Sequence, residues 1–256
     1  MIVTQQIPLQ FEHRSALSSK DFLVSDSNRE AVEWIDCWPS WLSPTIAING
    51  PSGAGKTLLL RSIAGLTRIS SGKIYIGSEL VESTLEKIRT PCHRRNIGYV
   101  SQEYAVFPHM SVRKNLYYGI STWPKFSAET KVSSLLELLD LVGLEHRKAH
   151  QLSNGQLQRV ALGRALAREP DLLLLDEPFS ALDTPTRIEL IKSFLILQRE
   201  LGFNCLLVTH SIREAIKLAT NLIVLHHGKI IQMGTVASVL DSPSCRTVAR
   251  LLEQDI

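Results

Sequence analysis

The stretch TIAINGPSGAGKT spans Thr45–Thr57 and joins a short apolar run to a glycine-rich loop. The run Thr45–Asn49 is typical of a buried β-strand, and Lys56–Ala64 is typical of a helix that ends at Gly65. The loop between them fits the pattern G-x-x-x-x-G-K-[ST], in which backbone N–H groups and the start of the helix face a phosphate. A strand-to-helix turn that only needs glycine is the alternative. The predicted phosphate-binding residues are Gly50, Pro51, Ser52, Gly53, Ala54, Gly55, Lys56 and Thr57.

Two acidic residues follow the most hydrophobic strand candidate. Asp176 and Glu177 come directly after four consecutive leucines, Leu172–Leu175. The carboxyl end of a parallel strand is where α/β proteins bind ligands, so both carboxylates are expected at a binding edge. There Asp176 would join the Thr57 hydroxyl in the shell of a Mg²⁺ ion, and Glu177 would polarise an attacking water. The alternative is a solvated strand end, because acidic residues often follow a hydrophobic run.

The order of the segments predicts an α/β fold. Strand and helix patterns alternate along most of the chain, which favours a largely parallel sheet with helices on its faces. The alternation is interrupted between residues 110 and 151, where helical patterns such as Val132–Leu141 predict an inserted α-helical subdomain. The other strand predictions are Lys73–Ile76, Asn96–Val100, Asp171–Asp176, Cys205–Thr209 and a hairpin made of Leu222–Leu225 and Ile230–Met233.

Composition narrows the class of protein. The 256 residues are 44% hydrophobic, enough for one large α/β domain, and a net charge of +3 gives no reason to expect a nucleic-acid partner. No apolar run approaches the roughly 18–20 residues that span a bilayer, and Met1–Gln10 lacks the features of a secretory signal. The cysteines are scattered without a zinc or redox spacing, which suits a reducing compartment. The sequence therefore predicts a soluble cytoplasmic protein whose membrane role would come through a partner.

A second anion-binding motif follows the predicted helical insertion. Leu152–Gln156 reads Leu-Ser-Asn-Gly-Gln and resembles the LSGGQ signature of ABC (ATP-binding cassette) transporter ATPases. The resemblance implies that Ser153, Asn154, Gly155 and Gln156 clamp the γ-phosphate held by the opposite subunit of an ATP-sandwich homodimer. Asn154 replaces the first glycine of the signature, and we expect at most a weakened clamp because asparagine tolerates unusual backbone angles. A helix N-cap at Ser153 is the alternative, and the two roles are compatible.

Further motifs of the same family follow its usual order. Gln102 stands at the place of the Q-loop glutamine, a ligand of Mg²⁺, and Asp183 ends a match to the D-loop that crosses the dimer interface. His210 stands where the family has a histidine that contacts the γ-phosphate, and a predicted capping box begins at Ser211. The segment Tyr104–Val112 resembles the part of importer ATPases that contacts the membrane permease. Its apolar residues could equally belong to the core.

The resemblance is nearly continuous from Lys56 onwards, and around Asn96–Gly119 it is closest to importers of molybdate, sulfate or similar small solutes. It implies a P-loop NTPase with a RecA-like, mostly parallel sheet, an ATPase core at residues 50–240 and a helical subdomain at about 103–168. It also implies ATP hydrolysis that powers solute uptake, with ATP and Mg²⁺ as cofactors, at the inner face of the cell membrane. The implied catalytic residues are Glu177, His210 and Gln102, and the implied metal ligands are Thr57, Gln102 and Asp176.

The start of the chain departs from this family. Residues 1–49 form an atypical N-terminal segment, in which a capping box at Ser27 leads into an amphipathic helix that carries Trp34 and Trp38. Residues 6–50 instead resemble the start of DnaA-like AAA+ proteins of the Hda type, which suggests a junction at the glycine loop by fusion, engineering or drift. The tail, residues 241–256, is expected to leave no room for the β-rich regulatory domain of many importers. Two alternatives stay open: a DnaA/Hda-like nucleotide-binding regulator of replication initiation, and a non-transport ABC ATPase.

Overall fold

The computed structural model describes residues 44–253, which form a six-stranded sheet, a three-stranded sheet and the helices around them. The strands are β1 (Thr45–Asn49), β2 (Lys73–Ile76), β3 (Glu79–Ser83), β4 (Ile88–Arg89), β5 (Ile97–Val100), β6 (Leu172–Asp176), β7 (Asn204–Val208), β8 (Asn221–His226) and β9 (Lys229–Thr235). The helices are α1 (Lys56–Ile63), α2 (Val112–Tyr118), α3 (Lys125–Leu138), α4 (Asn154–Leu166), α5 (Thr184–Leu201), α6 (Ile212–Leu218), α7 (Val236–Asp241) and α8 (Arg246–Glu253). Within this part of the chain, no helix is both long and apolar enough to cross a membrane.

The large sheet has the strand order β5-β6-β7-β1-β8-β9. Neighbouring strands from β5 to β8 run parallel, and only β9 is antiparallel, because it returns from β8 as the predicted hairpin. This arrangement confirms the predicted α/β fold with a mostly parallel sheet. Strands β1 and β2 have the predicted bounds, and the other predicted strands differ from the observed ones by at most two residues at either end.

The leucines of β6 explain why this strand lies inside the sheet. Leu172 and Leu174 pack with α1 in one apolar cluster, whereas Leu173 and Leu175 pack in a second cluster with the helices of the opposite face. Successive side chains of a strand point to opposite faces, so a strand covered on both faces needs a continuous apolar run. The run therefore ends where the binding edge begins, at Asp176.

Some elements differ from the sequence predictions. Helix α3 begins seven residues before the predicted start at Val132 and ends before Asp140, whose φ of 53° closes the helix in a left-handed conformation. Strand β2 does not join the parallel sheet, because it pairs with β3, and β3 with β4, in a separate antiparallel sheet. Helix α5 and the strands β3 and β4 were not predicted. The predicted N-terminal helix with Trp34 and Trp38 lies outside the described residues.

A buried arginine joins the small sheet to the end of α1. The Arg95 guanidinium donates hydrogen bonds to the carbonyl oxygens of Ser62 (2.9 Å) and Ile63 (2.7 Å) at the end of that helix. It also donates to the Thr90 carbonyl at 2.9 Å and to Oε2 of the buried Glu82, in the small sheet, at 2.7 Å. The last carbonyls of a helix have no partner within the helix, so Arg95 caps α1 and anchors the end opposite the glycine loop.

Candidate functional site

The glycine loop runs from the end of β1 to the start of α1. Gly55 precedes the helix with a φ of 96°, a left-handed conformation that residues with a side chain rarely adopt. Gly50 lies against β8, so that a Cβ at this position would stand 2.1 Å from the Leu225 carbonyl oxygen. The turn of the β8–β9 hairpin also contacts the loop, because the Gly228 N–H donates to the Ala54 carbonyl at 3.0 Å. The loop shape is therefore set partly by the neighbouring hairpin.

The Lys56 side chain folds back over the loop. Its Nζ donates to the carbonyl oxygens of Gly50 (2.5 Å) and Pro51 (3.0 Å). An ammonium group has three N–H donors, so these two bonds leave a third for an anion in the loop. Burial lowers the pKa of Lys56, and the nearby carboxylates of Glu177 and Asp176 oppose that shift. The geometry thus holds a cation at the place where the sequence predicts phosphate.

The Asp176 carboxylate lies at the end of β6 and is almost completely buried. Its Oδ1 accepts a hydrogen bond from Thr57 Oγ1 at 2.9 Å, and its Oδ2 accepts one from the Tyr99 hydroxyl at 3.2 Å. Burial raises the pKa of Asp176, and the two hydrogen bonds oppose that rise because they favour the charged form. Tyr99 was not predicted as a site residue, since a tyrosine within a strand carries no signal of its own.

Glu177 and His210 lie beside this carboxylate. Glu177 has a φ of 47°, uncommon for a residue with a side chain, and its backbone N–H donates to the Val208 carbonyl at 2.9 Å. Its Oε2 lies 3.3 Å from Nδ1 of the exposed His210, which follows β7. The ends of two adjacent parallel strands thus bring together an acid and an imidazole that stand 33 positions apart in the chain.

One cavity joins the glycine loop to Glu177, whereas Asp176 and His210 are not among the residues that line it. It has a volume of about 410 Å³ and contains the predicted Gln102 and Glu177 together with much of the glycine loop. Leu58 and Arg61 from α1 also line it and were not predicted, because on sequence alone they are ordinary residues of an amphipathic helix. The loop residues on its wall are Ser52, Gly53, Ala54, Gly55, Lys56 and Thr57.

The oxygen donors at this edge suit a hard cation. The Thr57 hydroxyl and the Asp176 carboxylate lie within 2.9 Å of each other, and the Gln102 amide lies on the wall of the same cavity as Thr57. Mg²⁺ prefers oxygen ligands and is usually held by one or two protein groups together with phosphate oxygens and water. The three residues therefore fit the predicted metal, with room for a phosphate in the loop beside them.

The chain matches a known protein family over the residues that build this site. The sequence profile described as "ABC transporter" matches residues 42–180, a range that includes the glycine loop, Gln102, Ser153 and both carboxylates. The chain belongs to the ABC transporter family. The match begins at residue 42, so it overlaps the last residues of the segment 6–50 that resembles DnaA-like proteins. The DnaA/Hda resemblance of the residues before 42 lies outside the described residues and stays a prediction.

Two relatives are equally identical to this chain in the matched region. The molybdate/tungstate import ATP-binding protein WtpC of Thermococcus kodakarensis is 44% identical over 207 residues, which cover 80% of this chain and 61% of that protein. The sulfate/thiosulfate import ATP-binding protein CysA 1 of Agrobacterium fabrum is 44% identical over 205 residues, covering 78% and 58%. The chain therefore spans about three fifths of the length of these ABC relatives. The replication-regulator alternative gains no support from them.

A solved ABC structure has the same fold. The dimeric structure of a post-hydrolysis state of the ATP-binding cassette MJ0796, bound to ADP and Pi, has a TM-score of 0.64 and 28% sequence identity. The comparison covers 75% of this chain and 85% of that one. The P-loop NTPase fold predicted from the glycine loop is thereby confirmed.

The ABC signature lies apart from the residues that line the cavity. Ser153 caps α4, because its Oγ accepts from the Gln156 N–H (3.3 Å) while Gln156 Oε1 accepts from the Ser153 N–H (3.0 Å). The predicted N-cap is confirmed, and the role as a phosphate clamp stays a prediction. Asn154 is the first residue of the helix and has no positive φ, so it adopts no unusual backbone angle here, and the weakened clamp stays a prediction.

The D-loop aspartate lies beside the signature. Asp183 caps α5, with Oδ1 accepting from the Thr186 N–H (3.0 Å) and Oδ2 from the Thr186 hydroxyl (2.9 Å). These hydrogen bonds lower the pKa of Asp183. A Cβ at Gly155 would stand 2.8 Å from Thr186 Cγ2, so the starts of α4 and α5 are in close contact. Asp183 and the signature residues Ser153 and Asn154 are exposed at these helix starts, and none of the three lines the cavity.

The predicted capping box after His210 is wrong. Ser211 makes no side-chain hydrogen bond that caps α6. The Glu214 carboxylate is buried instead and accepts from the Thr209 hydroxyl at 2.6 Å. That hydroxyl also accepts from the Ser211 N–H at 3.0 Å, so the hydrogen bonds of Thr209 fix the turn that carries His210.

The segment Tyr104–Val112 is partly core and partly surface. Both of its end residues are buried, which supports the core alternative for them. Phe107 is half-buried, and its ring lies 4.6 Å from the Tyr118 ring and 4.8 Å from the Arg164 guanidinium. Both backbone polar groups of Phe107 bond the buried Asn115 side chain, at 2.9 and 3.2 Å. Next to the segment lies a cavity of about 340 Å³, lined mainly by apolar surface of Met110, Arg113, Lys114, Tyr117, Tyr118, Ser121 and Glu129.

Proposed function

We propose that this protein is the ATP-hydrolysing subunit of an ABC importer and works as an ATP-sandwich homodimer. The observation that carries the proposal is the cavity that joins the glycine loop to Gln102 and Glu177. A cation for phosphate, oxygen ligands for a metal and a carboxylate for water are all required for phosphoryl transfer to water. The family match and the importer names of the two relatives support the transport part of the proposal.

Each residue has one role in this proposal. Lys56 and the loop N–H groups bind the phosphates, and Thr57, Asp176 and Gln102 hold Mg²⁺, which neutralises charge on the phosphate oxygens when bound. The Glu177 carboxylate orients water and accepts its proton, and His210, 3.3 Å away, contacts the γ-phosphate. This arrangement positions the reactants and stabilises charge, which is the main contribution of enzymes that cleave phosphate.

The proposed homodimer would bring the signature residues and Asp183, which do not line the cavity, to the nucleotide of a second copy. Ser153, Asn154, Gly155, Gln156 and Asp183 line another surface of the chain. In the proposed dimer, a second copy brings that surface against the phosphates bound by the first. The start of α4 would then present N–H groups and a helix dipole to an anion, which favours its binding. The dimeric state of the similar ATP-binding cassette supports this arrangement.

The permease partner is proposed to bind beside Tyr104–Val112. The neighbouring apolar cavity and the exposed Tyr118 form an exposed apolar patch, which is a common feature of protein interaction sites. We infer a location on the cytoplasmic face of the membrane, held there by the permease. Two relatives with equal identity are named for different anions, so we propose a small inorganic anion as the solute class without choosing one.

The proposed function has a direct test. The purified chain should release phosphate from ATP, and the release should depend on Mg²⁺ and be lost in EDTA. Expressed with its neighbouring genes, it should co-purify with integral membrane proteins. No phosphate release under any metal condition would contradict the ATPase assignment, and release together with a replication clamp or initiator as the only partner would contradict the transport assignment.

Nucleotide selectivity gives a second prediction. ABC subunits stack adenine on an aromatic residue near the start of the chain, and the aromatic residues available here, Phe22, Trp34, Trp38 and Trp41, all lie outside the described residues. Stacking contributes about 0.5–1.5 kcal/mol beyond burial, so a subunit without such a stacked aromatic residue would bind ATP roughly threefold to tenfold more weakly. We expect GTP to compete with ATP almost equally, because phosphate contacts dominate.

Competition binding with the two nucleotides measures this selectivity. A strong preference for ATP that disappears in Phe22→Ala, or on removal of residues 1–43, would show that the N-terminal segment builds an adenine pocket. The truncation stops before Pro44 because the carbonyl of that residue accepts a hydrogen bond from the Cys205 N–H at 2.7 Å.

A further inference from the structure

Tyr99 reaches the site from the neighbouring strand. It pairs with Leu174 in the parallel register of β5 and β6, two residues before Asp176. Residues two apart on a strand share a face, so Tyr99 and Asp176 are diagonal neighbours on one side of the sheet. The Tyr99 hydroxyl uses this position to donate to Asp176 Oδ2 at 3.2 Å. The register of two strands, rather than any local motif, creates the contact.

The two carboxylate oxygens of Asp176 have different partners. Oδ1 accepts from the Thr57 hydroxyl, which belongs to the glycine loop, and Oδ2 accepts from Tyr99. The terminal torsion of an aspartate side chain is soft, so the plane of its carboxylate is set by hydrogen bonds. With Oδ2 held by Tyr99, Oδ1 points towards Thr57 and the metal position of the proposed function. Without this bond, the Thr57 hydroxyl alone of these two donors would orient the carboxylate.

The hydrogen bond from Tyr99 is partly buried. Asp176 is 3% exposed, and the Tyr99 side chain is half-buried. Removing the hydrogen-bond donor of a buried carboxylate oxygen costs more free energy than removing the donor of a solvent-exposed one, where water can take its place. Removing only the Tyr99 hydroxyl should therefore leave Asp176 Oδ2 without this hydrogen bond, whereas the ring would keep its packing.

We propose that Tyr99 is a positioning residue for Asp176, which it holds in the orientation that binds the metal of the nucleotide complex. The inference rests on the proposed function, since it assigns Asp176 to Mg²⁺. It concerns metal affinity, and it leaves the glycine loop and the phosphates unaffected. Tyr99→Phe should therefore weaken metal binding more than nucleotide binding.

The experiment compares wild type, Tyr99→Phe and the control Tyr75→Phe, whose tyrosine lies in the small sheet. Mn²⁺ replaces Mg²⁺ and is titrated in the presence of ATP, with free Mn²⁺ read from its electron paramagnetic resonance signal. We expect about tenfold weaker Mn²⁺ affinity for Tyr99→Phe, the size of a lost hydrogen bond to a charged group. Binding of a fluorescent ATP analogue in EDTA should stay within about twofold of wild type, as should Tyr75→Phe in both assays.

Turnover adds a readout that a purely structural defect would not give. In Tyr99→Phe the Mg²⁺ concentration for half-maximal phosphate release should rise, while the rate at saturating Mg²⁺ recovers. Equal Mn²⁺ affinities of wild type and Tyr99→Phe would overturn the inference and leave the proposed function standing. Equal losses of Mn²⁺ affinity and metal-free ATP affinity would also overturn it, because they indicate general damage. A wild-type chain that binds no Mn²⁺ with ATP would overturn the proposed function, and this inference with it.

Discussion

Replacing Glu177 by glutamine should stop ATP hydrolysis while ATP still binds. The substitution keeps the shape of the side chain and its contact with His210 but removes the charge that draws a proton from water. A general base contributes about 10²–10⁴-fold to a rate, so phosphate release should fall by at least about a hundredfold. A phosphate-release assay measures the loss, and binding of a fluorescent ATP analogue should stay unchanged.

The same variant should accumulate as a dimer with ATP. In the proposed sandwich, intact γ-phosphate keeps both signature surfaces closed, so Glu177→Gln should elute as a dimer with ATP and as a monomer without it. The control adds Ser153→Arg, which places a bulky cation at the exposed start of α4 and leaves the residues that line the cavity unchanged. The double variant should bind ATP but stay monomeric. A Glu177→Gln protein that is monomeric with ATP at high protein concentration would contradict the sandwich.

Replacing Lys56 by alanine should abolish hydrolysis through the loss of phosphate binding. Its buried ammonium is the cation that folds over the loop, and hydrogen bonds to charged groups contribute roughly 1.5–3 kcal/mol, so ATP affinity should fall roughly tenfold to a hundredfold. The loop also loses the bonds to the Gly50 and Pro51 carbonyls, which adds to the effect. Turnover and binding of the fluorescent analogue measure both losses.

A matched control distinguishes the loss of the Lys56 charge at the loop from a general effect of replacing a lysine or of unfolding. Lys192→Ala removes a lysine from the exposed face of α5, far along the chain from the loop, and should leave turnover unchanged. Circular dichroism should show that Lys56→Ala keeps the secondary structure of wild type. Unchanged phosphate release by Lys56→Ala would remove this lysine from the proposed mechanism.

Short sequence patterns correctly predicted the features that neighbouring residues determine, such as the glycine loop, the buried strand β6 and the N-cap at Ser153. The glycine loop and the leucines of β6 place a phosphate loop and two carboxylates at one edge, because buried parallel strands need continuous apolar runs and binding loops follow their carboxyl ends. The serine N-cap at Ser153 also follows from sequence. In each case the residues that decide the structure lie within about ten positions of one another.

The parts that sequence reasoning missed depend on contacts between distant segments. Tyr99 meets Asp176 through strand register, and Arg95 meets the end of α1 after a separation of more than thirty residues. Glu214 looked like a helix-capping acid, but the buried Thr209 hydroxyl is its partner. A short pattern cannot choose between a local and a distant hydrogen bond, because both satisfy the same group.

The packing of the glycine loop against β8 bears on how this chain tolerates replacement of its first residues. The backbone of Gly50 lies against the Leu225 carbonyl, and Ala54 is bonded by Gly228 of the hairpin turn. Both contacts come from residues far downstream of the loop, so sequence before Pro44 can be exchanged without removing them. Conversely, residues 50–57 moved alone into another protein would lose both contacts, and a successful transplant would have to include a hairpin equivalent to β8–β9.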